Sequence, residues 1–217
     1  MKSTRFAVRL RAFTLVELSI SLAVITMLTF ILLSRYPETA TRLTLANAGH
    51  SLSLLIREAQ VRGSAIDSVN SSLGGYGVYA SLTSPSQVIL FGDTVDASVP
   101  KPYGITVGNG LFESEVPLNE TKTITTLPER YIISKLCVGT GFPFTCNGAH
   151  TPPVESLIIS FTRPNPAPSI YINNATSTSY GAACIELLSP QAPLSGHTRN
   201  VQVFSSGMIR NDLDTCD

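Results

Sequence analysis

The chain has 217 residues, long enough for one domain plus a membrane anchor. Its 15 Lys and Arg balance 15 Asp and Glu, which removes the basic field that nucleic-acid binding requires. Charged residues make up only 14% of it, Trp is absent, and Ser, Thr, Asn and Gly are abundant, a composition that suits a β-rich exported domain better than a cytosolic enzyme.

The first element is an apolar run ending at Leu33, and Glu17 is its only charged residue from Phe13 on. As a helix at ~1.5 Å per residue, residues 13–33 span about 31 Å, close to the roughly 30 Å hydrocarbon core of a bilayer. Lys2, Arg5, Arg9 and Arg11 precede it with no acid among them, which predicts a cytoplasmic N-terminal side and an exported remainder. A conventional cleaved signal would have a shorter apolar region and a small-x-small site, whereas Glu38-Thr39-Ala40 is the best site on offer here. A plain anchor accounts for length and flanks but not for Glu17. An acid at mid-bilayer costs on the order of 2.5–3.5 kcal/mol and is by default functional.

The segment Ala12-Phe13-Thr14-Leu15-Val16-Glu17-Leu18, behind its short basic leader, closely resembles the class III signal of type IV pilins and type II secretion pseudopilins. The resemblance implies that a prepilin peptidase cuts between Ala12 and Phe13 and methylates the Phe13 amine. It further implies that Glu17, then the fifth mature residue, pairs with the Phe13 amine of a neighbouring subunit during filament assembly. An ion pair in a low-dielectric setting offsets much of the desolvation cost of each charge. The family favours Gly before the cut; Ala12, the next smallest side chain, implies slower processing. The leader carries four of the 15 cations, so the processed chain has 11 against 15 acids, a net charge of −4. The implied partners are the prepilin peptidase, other pilin or pseudopilin subunits and an inner-membrane assembly platform. The implied location is the cytoplasmic (inner) membrane, single-pass, and then a pilus or pseudopilus.

Past Leu33 the helix is expected to continue, kinked by Pro37, whose ring and missing N–H interrupt the backbone ladder. Leu45, Leu52, Leu55, Ile56 and Ala59 then form an apolar stripe at helical spacing, opposite Arg42, Asn47, His50, Arg57 and Arg62, with Gly63 as the expected stop. The segment Leu52 to Ala65, with Arg57-Glu58-Ala59-Gln60 inside it, looks like the second half of the long helix in H-type minor pseudopilins and related minor pilins, a looser match than the first. The domain division is therefore leader 1–12, transmembrane helix 13–33, amphipathic continuation 34–63 and β-rich domain 64–217.

Strands are expected at 76–80 and 87–91, joined as a hairpin through Thr83-Ser84-Pro85-Ser86, and at 121–126, 131–137, 156–162, 169–172, 183–188, 200–204 and 208–210, with a further one at 104–107. Gly74-Gly75-Tyr76-Gly77 is expected to open a strand and to supply turn geometry. One long helix followed by runs of strands predicts an α+β fold with antiparallel sheets packed on the helix. The ending, strand, Gly turn, strand, is similar to that of H-type pseudopilin domains, which would place the last strand beside the helix.

Four cysteines allow three disulfide pairings. The Gly- and Pro-rich stretch between Cys137 and Cys146 favours a local loop closed by those two, leaving Cys184 for Cys216. A zinc site from Cys137, Cys146 and His150 matches no compact ligand spacing. Asn211, Asp212, Asp214 and Asp217 offer hard oxygens for calcium, but without EF-hand spacing. The chain has no Gly-x-Ser-x-Gly elbow, no phosphate-binding Gly-x-x-x-x-Gly-Lys and no His-Glu-x-x-His, and the acidic tail repels phosphate. The expectation is a structural subunit with no catalytic residues, no cofactor and no resident metal. The competing expectation is a membrane-anchored exported enzyme or binding domain that does not polymerise.

Overall fold

The computed structural model describes residues 14–65, 73–94, 110–113, 120–127, 131–162, 167–175, 179–189, 198–212 and 216. It is α+β: an N-terminal helix, α1 (Leu15–Ser64), is followed among the described residues by ten strands. The chain divides into two compact units, Met1–Thr41 and Arg42–Asp217.

Thr14 starts α1. Its hydroxyl accepts the Glu17 amide at 3.2 Å and its carbonyl accepts the Leu18 amide at 3.1 Å. α1 is one helix in sequence, and Pro37 lies inside it. In the second unit its stripe meets the expectation: Leu45, Leu52, Leu55, Ile56 and Ala59 are buried, joined by Ala48, while Arg42, Asn47, His50, Arg57 and Arg62 are exposed. Gly63 does not cap the helix as expected, since α1 continues to Ser64. Its role is close approach: a Cβ there would lie 2.4 Å from the Phe161 carbonyl oxygen.

The strands form two five-stranded antiparallel sheets. The first has the order β3-β2-β1-β6-β7, from β1 (Leu73–Ser81), β2 (Gln87–Thr94), β3 (Thr121–Thr126), β6 (Ser156–Thr162) and β7 (Pro168–Ile172). The second has the order β10-β9-β8-β4-β5, from β4 (Ile132–Gly139), β5 (Thr145–Cys146), β8 (Ala182–Leu188), β9 (Thr198–Phe204) and β10 (Ile209–Asp212). The expected strands all appear within a few residues, except 104–107, which lies outside the described residues. β5 was not expected, because two residues inside a Gly- and Pro-rich stretch carry no periodicity.

Period-two alternation turns one face of each sheet to a shared core. Tyr76, Val78 and Ala80 stand in register with Phe161, Ile159 and Leu157 on the first sheet. Leu136 and Val138 stand in register with Ile185 and Ala183 on the second. These residues and the α1 stripe form a single hydrophobic cluster. Each fully buried Leu, Ile or Phe contributes roughly 1.5–3 kcal/mol. Gly75 and Gly77 lie within β1, so the Gly-rich run opens a strand as expected but makes no turn. Gly77 leaves space for a ring: a Cβ there would sit 2.4 Å from Phe91 Cζ.

The other face of the first sheet carries a smaller apolar cluster of Phe91, Phe112 and Ile158. Residues 110–113 are pinned over it from several sides. The buried Asp93 accepts the Gly110 amide at 2.9 Å. Asn174 accepts the Phe112 amide and donates to the Phe112 carbonyl. Glu120 accepts the Glu113 amide at 3.0 Å.

Candidate functional site: the N-terminal apolar helix

Leu15–Leu33 is long and apolar enough to cross a membrane, with a mean hydropathy of 2.3. Every residue in it is exposed, including Leu15, Val24, Ile25, Phe30 and Leu32. In water, each large aliphatic side chain left exposed forgoes roughly 1.5–3 kcal/mol of burial. The polar side chains within the segment are handled locally. Ser19 donates to the Val16 carbonyl, Ser21 to that of Glu17, Thr26 to that of Ala23 and Thr29 to that of Ile25, at 2.7–2.9 Å. A hydroxyl bonded back to its own helix satisfies its donor without water, which a hydrocarbon environment requires.

Glu17 is the third helical residue after Thr14. Thr-x-x-Glu is the capping-box pattern, in which the threonine side chain satisfies a first-turn amide and the acid lies against the positive helix end. The role of Thr14 was readable from that spacing but was not part of the expectation, which gave Glu17 only an intermolecular partner. Ala12 and Phe13, the expected cleavage and methylation positions, lie outside the described residues.

The other expected site residues fall into the second unit. The cysteines form the disulfides Cys137–Cys146 and Cys184–Cys216, the pairing that the loop spacing favours. This consumes the thiols of the zinc alternative. His150 instead contacts the Pro152 carbonyl through Nδ1 at 2.7 Å and the Tyr180 hydroxyl through Nε2 at 3.1 Å. Asn211 accepts from Arg199 Nε at 2.6 Å, and Asp212 accepts from Arg210 at 2.7 Å. Two of the four proposed calcium ligands are therefore held by arginines, and Asp214 and Asp217 lie outside the described residues. Among the described residues no group of three or more His, Cys, Asp or Glu is placed to hold a metal ion.

On the outward face of the second sheet, Glu186 is buried in a polar pocket built by a bulge in β4. Ser134 donates to Glu186 Oε1 at 2.8 Å, and Lys135 Nζ lies 3.7 Å from Oε2. A carboxylate so paired ties β4 to β8 and has no reacting group facing it among these contacts.

Comparison with known protein families, characterised proteins and solved structures finds no match.

Proposed function

We propose that this protein is a structural subunit of a type IV pilus or type II secretion pseudopilus, most similar to a minor pilin or an H-type pseudopilin. The observation that carries the reading is the apolar helix Leu15–Leu33 with its single acid, Glu17, in the first turn. A filament needs a helix that is stable in the bilayer and can exchange lipid for neighbouring helices, and an apolar surface exposed all round suits both. Prepilin peptidase would cut between Ala12 and Phe13 and methylate the Phe13 amine, and that amine would pair with Glu17 of the next subunit. The domain following α1 would stand outside the cytoplasm and face outward from the filament. Pro37, at mature position 25, would bend the helix between its lipid-embedded and domain-packed halves. Catalysis has no part in this reading.

The deciding experiment is intact mass and N-terminal sequencing of the protein from membranes, with and without prepilin peptidase. The expected product begins at N-methylated Phe13. An uncut chain, or one cut after Ala40, would overturn the proposal.

The capping geometry at Thr14 favours a second reading, because a capping box serves any anchor helix, including that of an exported enzyme or binding domain. Glu17→Gln separates the two. Glutamine preserves the capping pattern but removes the charge. A filament subunit should lose assembly, while a mere anchor should be unaffected.

A further inference from the structure

The four cysteines converge on the outward face of the second sheet, in an order that the two disulfides do not exhaust. Cys137 in β4 is in register with Cys146 in β5 on one side and with Cys184 in β8 on the other. Residues in register project from the same face of a sheet, so three sulfur-bearing side chains stand in one row. Cys216 completes the set through Cys184. All four lie in one buried cluster with Phe144 and Ala182.

The two inner members, Cys137 and Cys184, are joined to outer partners but not to each other. The Asn147 amide donates to the Leu136 carbonyl on the β5 side. The Cys137 amide, across the same peptide unit, therefore points toward β8. Cys137 and Cys184 are thus a hydrogen-bonded antiparallel pair, whose Cα atoms stand about 5.5 Å apart. That lies inside the roughly 4.4–6.8 Å of Cα separation that a disulfide spans, while the Cβ atoms of such a pair stand about 5.5 Å apart, about 1 Å wider than an unstrained disulfide holds them. A Cys137–Cys184 bond therefore needs a local approach of β4 and β8 but no change of register.

Access gives the row a direction. Cys137, Cys184 and Cys216 are 0% exposed, and Cys146 is 9% exposed. Cys146 is the one of the four with exposed surface, so a thiol from solvent approaches the cluster at this residue. Thiol–disulfide exchange at the Cys146 sulfur expels Cys137 as the thiolate.

We infer that the cysteines form a relay in which reduction entering at Cys146 is passed from Cys137 to Cys184 and frees Cys216. In the first step an external dithiol attacks Cys146 Sγ; a mixed disulfide forms and the Cys137–Cys146 bond breaks. The Cys137 thiolate then attacks Cys184 Sγ. The Cys137–Cys184 bond forms, the Cys184–Cys216 bond breaks, and the Cys216 thiolate leaves and takes a proton from water. The second thiol of the dithiol resolves the mixed disulfide, releasing Cys146 as a thiol and the reagent as its cyclic disulfide. One dithiol is oxidised and one protein disulfide is reduced, yet the two free thiols come from different original bonds. The signal enters at the β4–β5 hairpin and leaves as detachment of Cys216 from β8. The relay does not depend on the filament reading.

The test uses the native full-length chain in detergent, treated with limiting dithiothreitol, quenched in acid, alkylated under denaturing conditions and mapped by mass spectrometry without reduction. The relay predicts that the two-thiol species is alkylated at Cys146 and Cys216 and contains a Cys137–Cys184 linked peptide. A two-thiol species alkylated at Cys137 and Cys146, with Cys184–Cys216 intact, would overturn it. A second arm exports Cys146→Ser to an oxidising compartment. The expected gain is alkylation at Cys216 with a Cys137–Cys184 link; a free Cys137 beside intact Cys184–Cys216 would refute the relay.

Discussion

The two ends of α1 are alike in secondary structure and opposite in environment. Between Leu15 and Leu33 no side chain is buried, and apolar residues occur at every angle around the axis. Between Leu45 and Ala59 the buried apolar residues occupy one stripe at 0–8% exposure, while Arg57 and the single exposed apolar residue, Leu54, stand on the exposed side. A helix apolar all round needs an apolar surrounding, whereas a striped one needs only a single covered face. The protein itself covers the stripe with two sheets. The first segment, long and apolar enough to cross a membrane, is covered by no other described residue.

The strongest way to break this comparison is to place the same charge in each half. Ile56→Asp puts an unpaired carboxylate at a site with 0% exposure and should cost upward of about 4 kcal/mol. The expected readout is loss of the protease-resistant β domain. Ile25→Asp should leave that resistance unchanged and release the protein from membranes at alkaline pH. If both variants unfold the domain, the two halves are not energetically separate.

Next in size is the Cys184–Cys216 disulfide, which closes a sequence separation of 32 residues. Replacing both residues by serine should lower domain stability by roughly 3–4 kcal/mol in the chain-entropy model, read as a lower urea midpoint. An unchanged midpoint would show that residual structure already restricts the unfolded chain without the bond.

Gly77→Val is expected to cost about 1–3 kcal/mol through overpacking against the Phe91 ring. A combined Gly77→Val, Phe91→Leu variant should recover part of that loss; no recovery would mean that the backbone, not the ring, sets the limit. The smallest effect belongs to Thr14→Val. Loss of the cap to the Glu17 amide should cost about 1 kcal/mol of helix stability. Faster amide exchange confined to the first turn of α1 would show it, and unchanged exchange at Glu17 would argue against the cap.

The sequence by itself determined what depends on neighbours along the chain. The apolar run and its basic flank, the stripe from Leu45 to Ala59, and the strands around Tyr76, Ile159 and Ile185 are set by local periodicity, and turn residues mark where they end. The α+β class follows from their order, and the cysteine pairing from a loop short enough to close on itself. Residue pairs far apart in sequence were decided by tertiary structure alone. Nothing near Gly77 announces the Phe91 ring, and nothing near Phe112 announces the amide of Asn174 that clasps it. The two-residue strand β5 exists only because β4 offers it an edge. Most consequentially, Cys137 stands between Cys146 and Cys184 because β8 pairs with β4 in one register. Register is fixed by which faces are buried, since a slip of one residue would turn Leu136 and Ile185 out of the core.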